Sequence, residues 1–242
     1  MADGSRPAQP YIEAVIYDLD GVLVSTDEYH FRAWKRLADD ENIAFDHTIN
    51  ERLRGVSRME SLSIILERSK RIYSGDEKRS LAERKNGYYV ESLGALGSDA
   101  ILPGATETVR ALHLLGLRQA VASSSRNAPL ILGRTGLSSL FDAAIDGSMI
   151  TRSKPDPEVF LKAAQALGVA ASACVVVEDA VSGVEAAVAA GMRAFAVASA
   201  ARAAGNIASD NTAAAAWMTA PDLSGNSLVQ AVRPFVRAPG KR

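Results

Sequence analysis

The chain carries a single cysteine, Cys174, among its 242 residues. That excludes an intrachain disulfide and any site built from several thiolates. Charge bias is also missing: 27 Lys and Arg stand against 28 Asp and Glu, a formal net charge of −1 with a pI near 6.3. Proteins that hold nucleic acid leave a basic footprint, so that class is set aside. No run of about 18 apolar residues is present to span a bilayer. Residues 1–10 are small, polar and proline-containing, without the apolar centre of a signal peptide. No Gly-x-Gly-x-x-Gly follows the first apolar run, which disfavours a nicotinamide-binding protein. The expectation is a cytoplasmic monomer with neither nucleic acid nor membrane as partner. Aromatic residues are sparse at 6%, but 48% of the chain is hydrophobic and mean hydropathy is +0.01, an ordinary globular balance.

The charge that is present is unevenly spread. Residues 26–98 hold 26 charged side chains in 73 positions, while the other 169 positions hold 29. A charge-rich, neutral segment reads as amphipathic helices with solvated faces. The charge-poor remainder alternates short apolar runs with helical ones, the pattern of a parallel α/β sheet. The expected organisation is an α/β core over 11–25 and 99–237, interrupted by a small helical domain over 26–98, with flexible tails at 1–10 and 238–242. Strands are expected at 13–17, 117–122, 143–146, 173–177 and 194–197. In the helical segment, 27–40, 61–72 and 77–93 have helical patterning, the first with Phe31, Trp34, Leu37 and Ala38 on its apolar side. In the core, Asp156 and Pro157 open a helix that Gly168 closes, and Ser182-Gly-Val-Glu185 reads as a capping box before a helix closed by Gly191. The Ala-rich stretch 198–216 is weakly patterned.

The chemistry-bearing segments lie at the ends of the apolar runs. Val15-Ile-Tyr-Asp18-Leu-Asp20-Gly21 is a short strand ending in two carboxylates two residues apart, which extended backbone puts on one side. The carboxyl ends of strands are where ligands bind in such sheets. Two acids this close repel unless a cation or proton lies between them. A second run, Cys174-Val-Val-Val-Glu178-Asp179, also ends in acid, and together the two pairs form an oxygen-rich set suited to Mg²⁺. Val121-Ala-Ser123-Ser-Ser125-Arg126-Asn127 ends in hydroxyls and backbone N–H groups at a helix mouth, a cradle for an anion. Lys154 stands before the next helix and can place positive charge beside a phosphoryl group. Taken singly, these are also ordinary turns, a helix entry and a solvated lysine. Their order along one α/β domain is what gives them weight.

In that order the motifs resemble those of the haloacid dehalogenase-like phosphotransferase superfamily over nearly the whole chain. The resemblance implies a Rossmann-like parallel-sheet core with an inserted small α-helical cap. It also implies Asp18 as nucleophile, and Asp20 as general acid/base whose main-chain carbonyl meets Mg²⁺. Ser123 and Lys154 would hold phosphoryl oxygens, and Glu178 with Asp179 would complete the metal site with Asp18 and Asp20.

The insert is similar to the cap of the β-phosphoglucomutase branch through Asp27-Glu-Tyr-His30-Phe-Arg-Ala-Trp34-Lys, Arg54-Gly55-Val56-Ser57-Arg58 and Arg84-Lys85-Asn86-Gly-Tyr88. By that likeness Thr26 and His30 sit at the hinge near the acid/base, and Trp34 lines the sugar site. Gly55, Val56, Ser57 and Arg58 form a specificity loop in which Arg58 grips the phosphate that is not transferred. Lys85 contacts substrate from a neighbouring helix, while Ser125, Arg126 and Asn127 do so from the core. Trp34 on an apolar stripe is by itself more often a core residue than a ligand, and His30, Arg58 and Lys85 fit ordinary helix contacts. Ser25 departs from the family, whose members often carry an Asp before the Thr. The implied reaction interconverts β-D-glucose 1-phosphate and β-D-glucose 6-phosphate, with one Mg²⁺ per chain and β-glucose 1,6-bisphosphate as activator and intermediate. The alternative is a sugar-phosphate phosphatase on the same core.

Overall fold

A computed structural model describes residues 11–53, 57–197 and 216–236. Gly55 and Val56, the tails at 1–10 and 238–242, and all but the last residue of the stretch 198–216 lie outside the described residues. Two compact units are present: one runs to Val24 and resumes at Ile101, and the other is Ser25–Ala100.

The first unit is a parallel sheet of β1 (Ala14–Tyr17), β2 (Arg118–Ala122), β3 (Ala143–Ile145), β4 (Cys174–Glu178), β5 (Arg193–Val197) and β6 (Met218–Ala220), in the order β3-β2-β1-β4-β5-β6. The five expected strands are found within one residue at each end. The short edge strand β6 is an addition, because Met-Thr-Ala has neither the length nor the apolar run that marks a strand. β1 and β4 are buried on both faces, as a parallel sheet covered by helices on both sides requires. Ala14, Ile16, Ala120 and Val176 pack with Val159, Phe160 and Ala163 of α7 (Glu158–Leu167) and with Val184 and Ala187 of α8 (Val181–Ala189). Each large side chain buried there contributes about 2 kcal/mol. On the other face Tyr17 donates its hydroxyl to Gln119 Oε1 at 2.7 Å, and Gln119 Nε2 donates to Val109 O at 2.8 Å. Val109 belongs to α5 (Ala105–Leu114). Between strands β2 and β3 lies α6 (Ala128–Thr135).

Strand order reverses about β1, so the chain leaves β1 toward β2 on one side and returns as β4 on the other. The register pairs Tyr17 with both Val121 and Val177. Asp18 therefore stands level with the carboxyl ends of both neighbours, at the switch point where open α/β sheets bind ligands.

The second unit is helical among its described residues. α1 (Asp27–Asp40) has the expected bounds and buries Ala33, Trp34, Leu37 and Ala38. α2 (His47–Glu51) was not foreseen, since five residues show no period; Asp46 caps it by accepting from Ile49 N at 3.0 Å. α3 (Arg58–Leu66) begins before the expected 61, because Ser57 supplies an N-cap that accepts from Glu60 N at 3.3 Å. It also stops six residues early. Residues 67–71 offer no apolar face to bury, and Ile72 is 94% exposed. α4 (Gly75–Ser92) opens with a capping box between Ser74 and Glu77.

Gly104 fixes how α5 starts. Its φ is +77°, and a Cβ there would lie 2.4 Å from both Leu223 C and Ser224 N. Thr108 on the same helix donates to Leu223 O at 3.0 Å. Gly104→Ala is expected to lower unfolding free energy by about 2 kcal/mol or more, through left-handed strain plus the backbone collision. Urea denaturation checks this; an unchanged midpoint would contradict the close approach.

Candidate active site

The centre of the first unit is an ammonium between two carboxylates. Lys154 Nζ donates to Asp18 Oδ1 at 2.5 Å and to Glu178 Oε1 at 2.6 Å, with all three side chains nearly buried. Asp18 is placed by β1, with its backbone N donating to Val177 O at 2.9 Å, and Glu178 ends β4. Burial pushes the Asp18 carboxyl up, Lys154 opposes that, and Glu178 and Asp20 add to the rise, leaving it at about 7. Burial alone would depress the lysine, but Asp18 and Glu178 together hold it above its ordinary value. Removing the lysine from such a buried set costs about 3–5 kcal/mol, because two carboxylates are left behind without a partner.

Glu178 is doubly used. Its Oε2 accepts from Asp179 N at 2.7 Å and Ala180 N at 2.8 Å, so it also closes the turn into α8. A Cβ on Gly183 would lie 1.9 Å from Glu178 Oε1. Gly183 is thus the residue that lets the carboxylate lie against the helix. This corrects the expected capping box: α8 starts at Val181 with Ala180 as N-cap and no side-chain cap. The Glu178 carboxylate occupies backbone N–H groups at the helix entry instead. Likewise α7 starts at Glu158 with Pro157 as N-cap, while Asp156 Oδ1 accepts from Glu158 N at 3.0 Å.

The remaining expected groups of this unit fall on the same strand ends. At the end of β2, the buried Ser123 Oγ accepts from Ser125 N at 3.1 Å, and Ser125 Oγ accepts from Asn127 N at 3.2 Å. Each hydroxyl keeps its own hydrogen for donation. Ser125 O accepts from Gly147 N at 3.1 Å, and a Cβ on Gly147 would lie 2.2 Å from Ser124 O, so this glycine lets the two loops meet. Arg126 is exposed and Asn127 half-buried at the start of α6. Asp20 is bridged to Val24, and Gly21 turns at φ +82° with N donating to Val24 O at 2.8 Å. The carboxylate of Asp179 lies over that turn: a Cβ on Gly21 would be 2.3 Å from Asp179 Oδ2.

Among the described residues, no three His, Cys, Asp or Glu side chains converge as a ready metal cage. The four acids of the expected set, Asp18, Asp20, Glu178 and Asp179, all stand at the ends of β1 and β4. Lys154 stands between Asp18 and Glu178. Asp18, Asp20, Glu178 and Asp179, the last folded over Gly21, are all oxygen donors. That is the donor chemistry of a hard cation such as Mg²⁺, and the residues fit it. Cys174 is buried in β4, with its thiol pushed up to about 12 by burial, and takes no part.

A family profile described as haloacid dehalogenase-like hydrolase matches residues 12–191. The chain belongs to that family. It is 43% identical over 188 residues to a β-phosphoglucomutase of Bacillus subtilis, covering 77% of this chain and 83% of that one. It is 33% identical over 184 residues to a phosphorylated carbohydrates phosphatase of Thermotoga maritima, covering 75% and 82%. The crystal structure of a β-phosphoglucomutase from Clostridium difficile matches with a TM-score of 0.79 at 33% identity, covering 93% and 99%. Membership of the haloacid dehalogenase-like family makes this an enzyme fold with mutase and phosphatase relatives alike.

The second unit carries its own cluster. Thr26, buried, is the N-cap of α1, and its carbonyl accepts from His30 N at 3.0 Å. Lys85 Nζ lies 2.8 Å from His30 Nδ1, and the His30 ring stacks on Tyr89 with centroids 4.0 Å apart. Lys85 also sits 4.7 Å from the Trp34 ring and 4.8 Å from the Tyr89 ring. Trp34 is only 3% exposed and belongs to this unit's core. Arg58 NH2 donates to Asn86 Oδ1 at 2.9 Å, and Ser57 is exposed. Tyr89, Gly147 and Gly183 were missed by sequence reasoning. For Tyr89 the available signal was its spacing of four from Lys85 on one helix face. A separate cleft of about 450 Å³ runs between α1 and α4, but its Arg32 and Arg36 are paired to Glu28 and Glu91, and no expected site residue lines it.

Burial, then Lys85 and Arg58, hold His30 well below the ordinary imidazole value of 6.5. Its folded pKa is depressed, so the stability it contributes is present above 6.5 and is lost as pH falls, while the unfolded form takes up a proton. The expected loss is up to about 1.4 kcal/mol per pH unit, measured against His30→Gln. Urea midpoints of both proteins at neutral and mildly acidic pH check it; parallel changes would contradict a neutral His30.

Proposed function

We propose that the chain is a cytoplasmic β-phosphoglucomutase, converting β-D-glucose 1-phosphate to β-D-glucose 6-phosphate through a phosphorylated Asp18 and β-glucose 1,6-bisphosphate. The observation that carries the choice of mutase over phosphatase is on the insert. Arg58 and Lys85 lie on adjacent helices of one unit, positioned by Asn86 and His30. A doubly phosphorylated sugar needs cations beyond those at the transferred group, whereas hydrolysis of a monophosphate does not. The 43% identity to a mutase supports the same choice.

In the first half-reaction phospho-Asp18 meets β-D-glucose 1-phosphate. Asp20 takes the proton from the sugar's 6-hydroxyl, whose oxygen attacks phosphorus, and the bond from phosphorus to the Asp18 oxygen breaks. The bisphosphate turns over. Asp18 then attacks the phosphorus at carbon 1, Asp20 returns its proton to the departing sugar oxygen, and glucose 6-phosphate leaves. Ser123 and Lys154 hold the phosphoryl oxygens as their charge redistributes. Asp18, the main-chain carbonyl of Asp20, Glu178 and Asp179 would hold one Mg²⁺, which supplies charge neutralisation to the phosphoryl group when bound. Arg58 holds the phosphate not being transferred and Lys85 contacts the substrate from the neighbouring helix, so that remote binding energy orients the reacting group.

The test is incubation with β-D-glucose 1-phosphate, Mg²⁺ and a trace of the bisphosphate, following glucose 6-phosphate against free phosphate. Mostly free phosphate would favour the phosphatase reading. Asp18→Asn is expected to abolish turnover and phosphorylation while leaving the fold intact, since the amide keeps the shape and loses the nucleophile. Activity within about tenfold of wild type would remove Asp18 from that role. Arg58→Ala should divide the two steps. Glucose 6-phosphate formation falls by about 10²-fold or more, while phosphorylation of Asp18 by acetyl phosphate persists. Unaffected mutase flux would contradict the role given to Arg58.

A further inference from the structure

The four side chains around His30 form a closed arrangement whose consequence is chemical. On α1, His30 and Trp34 are four residues apart; on α4, Lys85 and Tyr89 are four apart, so each pair shares one helix face. The pairs meet crosswise: Lys85 reaches His30 Nδ1 at 2.8 Å, Tyr89 stacks on the His30 ring at an interplanar angle of 24°, and the Lys85 ammonium lies against the faces of both Trp34 and Tyr89. Two aromatic faces attract the ammonium. An ammonium has donors and no acceptor, so the imidazole nitrogen facing it must present a lone pair. That leaves the ring proton of a neutral His30 on Nε2. The groups bearing on His30 from the elements packed around it are Lys85 and Tyr89 from α4 and Arg58 from α3, and both cations disfavour a second ring proton.

We propose that Tyr89 is a positioning residue: together with Trp34 it sleeves the Lys85 ammonium and locks His30 as the Nε2–H tautomer, a neutral hydrogen-bond donor toward the phosphosugar. His30 is therefore a fixed donor and not a proton carrier, and Asp20 alone exchanges protons with the sugar. Trp34, placed by resemblance in the sugar site, acts instead through Lys85. The word phosphosugar rests on the proposed function; the tautomer does not.

Two arms test this. In the full-length protein at neutral pH, nitrogen chemical shifts of the His30 ring should show Nε2 protonated and Nδ1 bare. Tyr89→Leu should broaden that into mixed tautomers, and Tyr89→Phe, which keeps the ring, should not. In the mutase assay, Tyr89→Leu should lower kcat/KM by about tenfold or more, with Tyr89→Phe restoring it to within about threefold of wild type. A wild-type His30 that is protonated on Nδ1, or is cationic, overturns the proposal. So does Tyr89→Leu with unchanged shifts and kinetics, or Tyr89→Phe as impaired as Tyr89→Leu. Should Tyr89→Leu fail to fold, the wild-type and Tyr89→Phe spectra still decide. A wild type that makes no glucose 6-phosphate sinks the mutase reading, while the nitrogen shifts continue to judge the tautomer.

Discussion

One lysine ammonium holds the reacting end of the sheet together. Two strands, β1 and β4, each end in an acid that the sheet's register brings level, and the sheet buries both. Like charges so placed would push the strand ends apart or force protonation. Lys154, arriving from the loop before α7, reaches both at hydrogen-bond distance and offsets part of that conflict. The glycines around it follow from the same constraint. Gly183 leaves room for Glu178 to lie on α8, and Gly21 leaves room for the Asp179 carboxylate over its turn. An aspartate screened in this way can be approached by a phosphate dianion, which an unscreened carboxylate would repel.

The insert solves a related problem by other means. Lys85 is buried beside an imidazole and two aromatic faces. A π face is a weaker partner than a carboxylate, and it does not neutralise the charge. Lys154 and Lys85 are thus held differently: one lies between two acids, and the other lies beside an imidazole and two aromatic faces.

Much of this was legible in the sequence, for physical reasons that differ by segment. Val15-Ile-Tyr and Val175-Val-Val are apolar runs with one compatible environment, a doubly covered strand, so the strands and the acids after them could be placed. The partners of those acids could not. Ser182-Gly-Val-Glu185 satisfies the capping-box pattern, yet the long side chain of Glu178 reaches the helix entry first, and Gly183 signals that approach only once the two are seen together. Residues 61–72 read as one helix because Leu62, Ile65 and Ile72 share a period, but the polar residues between 66 and 72 bury nothing and the helix stops. β6 pairs over three residues and owes its existence to its neighbour β5, which no local pattern reports. Tyr89 was passed over because a tyrosine on a helix is ordinary; its role exists only across the packing of α1 on α4.

The central claim is that Asp18 carries the phosphoryl group between two positions of one sugar. The direct measurement is brief mixing of the enzyme with Mg²⁺ and β-glucose 1,6-bisphosphate bearing a radiolabelled phosphate, acid quench, and mapping of the labelled peptide. The account predicts label on Asp18 that passes into glucose phosphates, and not into free phosphate, when unlabelled β-D-glucose 1-phosphate is added before the quench. Label on another residue, or label on Asp18 released only to water, would contradict it.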